Sequence, residues 1–340
     1  MTNVKWWHPD HFARKIPFLE KRAKIIKSIR AYFDDLGYTE VETPALQHSA
    51  VMDPHIKAFE TEFISPNQSE TRRLFLHTSP EFAMKKMLVG GMKKIYQICK
   101  TFRNAEDSPN HSPEFTMIEW YHTGLSYEDL MQECVGLMRA VTDVPYKFRG
   151  MESDAHQLWE IISVCEAFQK YAQINLESIL NDLDSFKNLA GDLYHEGDEW
   201  DDIFFRVFLE KIEPNLGHPV PTIIYDYPIH MASLSRPKQS DPRFCERFEI
   251  YICGLELANA FGELCDAGEQ ERRFVKNMAE KKRLYGDDYP IDHELIEALS
   301  HGMDDVSGIA LGVDRLVMLA TGANHINDII SEPIYKTDNP

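Results

Sequence analysis

Gly308-Ile309-Ala310-Leu311-Gly312-Val313-Asp314-Arg315-Leu316 is the stretch on which the reading turns. An apolar strand with two glycines runs directly into an Asp-Arg pair, and the apolar run Leu316 to Ala320 continues as a helix. Glycine permits close backbone approach and unusual dihedrals. An arginine fixed at a helix start presents a planar guanidinium that can lie on a base or meet a phosphate. Taken alone, such a junction is ordinary strand-to-helix packing, so its meaning depends on the residues upstream of it.

Two upstream segments supply the context. Ala23, Ile26, Ile29, Phe33 and Leu36 recur at helical spacing, Gly37 stands where a helix would end, and Tyr38 to Thr43 reads as an extended strand stopped by Pro44. Further on, Ile95 to Arg103 is a strand ending in arginine. A polar loop from Asn104 to Pro113 comes next, and Glu114 to Tyr121 is a second strand. The period of two in a strand puts Phe115, Met117, Glu119 and Tyr121 on one face of this hairpin.

Helix-strand-proline, strand-Arg-loop-Phe-strand and Gly-x-Asp-Arg-helix, in this order, resemble motifs one, two and three of the class II aminoacyl-tRNA synthetases. The likeness is closest to the lysyl branch, through Thr78-Ser79-Pro80-Glu81, Phe102-Arg103-Asn104, His111 to Met117 and Glu256 to Leu264, and it spans about Phe18 to Ile330. It implies an α+β catalytic domain, an antiparallel sheet flanked by helices, that dimerises through the motif-one helix and strand.

Bulk properties agree with a globular enzyme. The 340 residues are 43% apolar, enough for a sizeable core, and no apolar run approaches the length of a membrane span. Met1 to Pro9 does not read as a signal peptide. Six cysteines (99, 134, 165, 245, 253 and 265) show no CxxC spacing and read as reduced thiols rather than metal ligands, which leads to a cytoplasmic expectation. A formal charge of −19 argues against a broad nucleic-acid surface. Residues 1–17 read as an N-terminal extension and 18–340 as the catalytic domain, with an acidic, helical insertion at about 125–217.

About 17 residues ahead of the motif-one helix are too few for the anticodon-reading OB-fold of lysyl-tRNA synthetases. A stand-alone lysyl-type module resembles the elongation factor P (R)-β-lysine ligase family, and Ala310 agrees, since lysyl-tRNA synthetases typically carry glycine there. The resemblance implies activation of (R)-β-lysine or lysine with ATP and Mg²⁺, then transfer to a lysine of elongation factor P. It implies no stable tRNA binding and no membrane partner. Two alternatives stay open: a truncated lysyl-tRNA synthetase, and a catalytically impaired paralogue that binds an amino acid or a protein as a regulator.

The resemblance also assigns roles by position. Arg103 bridges the substrate carboxylate and the α-phosphate and is the catalytic residue. Phe115 and Arg315 sandwich adenine, and Ala105, Glu106, His111, Ser112, Glu256, Leu257 and Gly312 complete the ATP site. Glu249 and Glu256 are the Mg²⁺ carboxylates, and a turn near Gly254 must reset the strand alternation between them. Glu119, Glu263 and Tyr121 receive the terminal amine and Glu81 the second amine, with Ser79, Pro80, Asn259 and Ala310 around them. Burying an ammonium group demands a charged partner, which is the reason for carboxylates here. The bland readings are a salt-bridged surface arginine for Arg103, core packing for Phe115, a solvated strand residue for Glu249 and a turn former for Asn259. The chain departs from the family pattern at Ala105, where a carboxylate is usual, at Ser112, where an asparagine is usual, and in a loop that lacks an arginine for the γ-phosphate.

Overall fold

Helix α1 (Pro9–Asp35) starts on a proline, which loses no hydrogen bond in a first turn. The computed structural model describes residues 5–334, so the ends of the expected extension and domain, residues 1–4 and 335–340, lie outside it. The helix thus takes in residues 9–17 of that extension. Its buried stripe is Ile25, Ile29 and Phe33, while the expected outer member Leu36 is 37% exposed beyond the last turn. Gly37 comes next at φ +75°, the left-handed geometry glycine supplies at a helix end.

After it, β1 (Thr39–Glu40) is shorter than the strand expected over Tyr38 to Thr43. Strands β2 (Leu46–Gln47), β3 (Phe59–Ile64) and β4 (Thr71–Leu76) form a small separate sheet. Helix α2 (Glu81–Val89) leads into the long hairpin β5 (Lys94–Phe102) and β6 (Glu114–Thr123), which matches the expected pairing.

The expected insertion is not uniformly helical. Helix α3 (Tyr127–Val141) packs into the central core, and β7 (Tyr146–Phe148) pairs with β8 (Met151–Ser153). The β-branched run in β9 (Glu160–Ser163) joins the main sheet beside β10. Beyond α3, the helical part of the insertion is α4 (Val164–Ala167), α5 (Leu183–Ala190), α6 (Trp200–Val207) and short irregular turns, which enclose Phe168, Phe186, Phe204 and Phe208 as a second core. The chain then forms β10 (Thr222–Pro228), β11 (Phe244–Ile252), β12 (Leu255–Gly262), α7 (Ala267–Tyr285), α8 (His293–Ser300), β13 (Val306–Gly312), α9 (Val313–Thr321) and α10 (Ile326–Ile329).

The main sheet has the order β1-β5-β6-β13-β12-β11-β10-β9. Its six inner strands run antiparallel, and the edge strands β1 and β9 pair in parallel. One face carries Tyr96, Ile118, Trp120, Ile309 and Leu311 against α1, α3 and α9. Alternation sends Met117, Glu119 and Tyr121 to the other face, under α2, α7 and α8.

Candidate active site

That second face floors a cavity of about 340 Å³. The hairpin β5–β6, strands β12 and β13, the start of α2 and the segment around Val51 to Ile56 wall it. Of the residues singled out in the sequence, Ser79, Glu81, Arg103, Glu106, His111, Ser112, Phe115, Glu119, Tyr121, Glu256, Leu257, Asn259, Glu263, Ala310, Gly312 and Arg315 all line it. Ala105, Pro80 and Glu249 do not.

Three carboxylates gather in one part of this cavity. Glu119, 1% exposed, accepts a hydrogen bond from Ser79 Oγ (2.6 Å) on one oxygen and from Tyr121 Oη (2.8 Å) on the other. Burial, then the nearby charge of Glu81, pushes its carboxyl up to about 8, and the two hydroxyl donors only partly offset this. Glu263 and Glu81 share one cation that the sequence reading missed. Lys85 Nζ lies 2.6 Å from Glu81 Oε1 and 2.6 Å from Glu263 Oε2. Burial pushes Glu263 up as well, with Lys85 pulling against it. The pair Glu81–Lys85 has the i, i+4 spacing of a surface helix pair. Only the fold buries that pair against Glu263. Gly308 is what lets this corner close, since a Cβ there would strike the Tyr121 ring and Glu263 Oε1.

At the other group of residues, Glu106 reaches the cavity although it is displaced by one position from the usual carboxylate. Ala105 adopts φ +62°, a conformation sparsely used by non-glycine residues, and this extra residue is absorbed outside the wall. Burial raises the Glu106 carboxyl, and Arg103 and then Arg315 pull it down; it lies 3.9 Å from Arg103. Arg315 donates to the carbonyl of Glu256 (2.7 Å) and to His111 Nε2 (2.5 Å). Because a guanidinium only donates, Nε2 must be the unprotonated nitrogen, so Nδ1–H faces Ser108 Oγ at 2.6 Å. The ring is therefore neutral, and burial together with Arg315 and Arg103 lowers its pKa to about 4. The sequence expectation set Phe115 and Arg315 on opposite sides of adenine. In the structure the cation over the Phe115 ring is Arg103, at 5.2 Å, whose buried Nε has no hydrogen-bond partner among the described residues. Asp314, also at the cavity wall, is bonded to Arg22 of α1 and to the Thr116 amide, and ties α9 to β6.

The two metal candidates part company. Cys253 and Gly254, at φ +53° and +69°, make a tight reversal, and the register shifts between Ile250 and Tyr251, so the turn near Gly254 does interrupt the alternation. Glu249 nevertheless stays off the cavity wall. It is held by Arg247 on one oxygen and by Tyr227 and Tyr251 on the other, at 2.6 Å each. Glu256 does line the cavity, and among the described residues no side chain donates to its carboxylate. Burial and the adjacent Glu249 push that carboxyl up. An unsatisfied oxygen donor fits Mg²⁺, which takes one or two carboxylates and completes its shell with phosphates and water. Among the described residues no group of three or more His, Cys, Asp or Glu is placed to hold a metal.

Helix α7 contributes a wall residue that no motif indicated, Asn277, and a buried lysine behind the wall, Lys281. Asn277 Nδ2 donates to Met52 O, and Lys281 Nζ donates to the carbonyls of Asp53, Pro54 and Ile56 (2.9, 3.1 and 2.5 Å). These two side chains pin the segment that closes one side of the cavity. Asn259 presents a buried Oδ1 that has no donor among the described residues. The cavity thus offers two arginines for an anion and uncompensated carboxylates for cations.

No described helix is long and apolar enough to cross a membrane. Residues 13–336 match the family model for tRNA synthetases class II (D, K and N), which covers nearly the whole chain. The motif order, the sheet and the cavity floored by motifs two and three meet in that match, and the chain belongs to the class II tRNA synthetases of the D, K and N group, ligases that activate amino acids with ATP and Mg²⁺.

Proposed function

We propose that the protein activates a diamino acid, (R)-β-lysine or lysine, as an aminoacyl-adenylate and transfers it to a lysine side chain of elongation factor P. The observation that carries the diamino acid is the convergence of Glu81, Glu119 and Glu263 in one cavity that also holds Arg103. Lys85 already serves Glu81 and Glu263, so an amino acid with an apolar or acidic side chain would leave the buried Glu119, bonded only by two hydroxyls, without a cation. The elongation factor acceptor rests on the resemblance of the motifs, on Ala310 and on the net charge of −19, which favours a basic acceptor over tRNA.

In this reading the substrate carboxylate attacks the α-phosphate and pyrophosphate leaves. Arg103, with its unpartnered Nε, holds the two reacting anions together, which requires it to leave the face of Phe115 so that the base can stack there. Glu106 accepts from the amino group of the base, and Arg315 is braced for its contact by His111 and the Glu256 carbonyl. Mg²⁺, held by Glu256, would neutralise phosphate charge. Glu119 anchors the terminal ammonium with Tyr121, and Asn259 accepts from the other amine. In the second step the acceptor amine attacks the acyl carbonyl and AMP departs.

ATP–pyrophosphate exchange with lysine, β-lysine and a panel of other amino acids tests the first step. Labelled β-lysine offered to elongation factor P and to total tRNA tests the second. Exchange with diamino acids only, and label on the protein, is expected. Exchange with no diamino acid would overturn the reading. Label on tRNA alone would return the acceptor assignment to a tRNA synthetase.

A further inference from the structure

We infer that Lys85 is a specificity-determining residue that sets the charge the amino-acid pocket must receive. The inference rests on the diamino acid reading and adds a count to it. Glu81, Glu119 and Glu263 bring three carboxylates to the pocket, and Lys85, 1% exposed and within 2.6 Å of two of them, brings one ammonium. Two carboxylate charges remain, equal to the two ammonium groups of a diamino acid. The α-carboxylate of that substrate is met separately, by Arg103. Lys85, Glu119 and Glu263 are all but excluded from solvent, so little water can correct a mismatch and a ligand of the wrong charge leaves an ion unpaired.

The geometry places Lys85 where it does not compete with the ligand for Glu119. Both oxygens of Glu119 are engaged by hydroxyls, Ser79 and Tyr121, which are compatible with an approaching ammonium. Lys85 instead bridges Glu81, one helical turn before it, to Glu263 on the far side. It thereby withdraws one charge from the pocket and holds the two carboxylates at a fixed spacing. Neutralising it would leave three buried carboxylates facing two ammonium groups.

A charge role and a packing role predict opposite signs in one background. Glu263→Gln leaves Glu81 and Glu119 against Lys85, a surplus of one, and should weaken diamino acid binding. Adding Lys85→Met to that variant restores a surplus of two, with a side chain of similar length. The measurement is calorimetric lysine affinity for the parent, Lys85→Met, Glu263→Gln and the double variant, with thermal unfolding to confirm that each is folded. The double variant is expected to bind roughly tenfold more tightly than Glu263→Gln, the scale of coupling between close buried charges. Equal or weaker binding by the double variant would overturn the inference, and this comparison stands even if Lys85→Met alone does not fold. A parent that binds no diamino acid would instead sink the diamino acid reading itself, so the two failures are distinct.

Discussion

Glu119 on β6 stands directly opposite Ala310 on β13, and Ala310 stands opposite Asn259 on β12, so the three form one rung across the cavity floor. Glu119 and Asn259 are therefore two strand spacings apart, ~9–10 Å, with only a methyl between them. In the proposed function that gap would receive the body of an extended amino acid, between a carboxylate and an amide oxygen that has no donor among the described residues. A larger residue at 310 would close the gap without touching any polar group.

The first prediction concerns pH. Glu119 has its carboxyl raised to about 8 by burial and by Glu81, with Glu263 adding to the effect. An ammonium partner favours the ionised form, so binding must expel a proton whenever the pH lies below that value. Diamino acid affinity should rise up to ~10-fold per unit from about pH 6 to 8 and then level off. Calorimetry across this range checks it, and Glu119→Gln should bind weakly with a shallower profile, the remainder coming from Glu263. Affinity that falls as pH rises toward 8 would reverse the sign.

Arg103→Ala should abolish exchange by at least ~10²–10³ while the unfolding temperature stays close to the parent's. Its side chain stacks on Phe115 at the cavity wall, so little packing depends on it. Exchange within tenfold of the parent would remove Arg103 from the chemistry.

Gly308→Ala should lose amino-acid binding and cost ~1–3 kcal/mol of stability, the usual scale for overpacking. The added methyl would displace Tyr121 and Glu263 together. Unchanged KM for the amino acid would contradict this close approach.

Glu249→Gln and Glu256→Gln should separate two roles. The first leaves the Arg247 guanidinium without its carboxylate and should lower stability by ~3–5 kcal/mol. The second should leave stability nearly intact and raise the Mg²⁺ concentration needed for exchange. Denaturant unfolding and a Mg²⁺ titration read the pair. The reverse assignment would make Glu249 the metal carboxylate.

Lys281→Met should release the segment from Asp53 to Ile56. Three backbone carbonyls would lose their common donor. Hydrogen exchange should accelerate there and not in the β5–β6 hairpin, with KM raised more than kcat is lowered.

Sequence pattern alone determined the order of the motifs, the long hairpin and the face carrying Phe115, Met117, Glu119 and Tyr121, because a strand alternates whatever it packs against. The resemblance, through the seven-residue spacing of Glu249 and Glu256, also indicated a turn near Gly254, and the chain reverses there. The short β1, the strands at residues 146–163 and the start of α1 at Pro9 were not legible, because pairing at a sheet edge and helix entry depend on partners distant in the chain. At the site, residue type announced carboxylates and arginines but not their partners. Lys85 reads locally as half of a surface pair, and Glu249 reads as a metal ligand. Tertiary structure supplied the partners, by bringing Glu263 onto Lys85 and Arg247, Tyr227 and Tyr251 onto Glu249. A buried charge must be matched by whatever the fold brings within reach, and that partner is fixed by three-dimensional packing rather than by spacing along the chain.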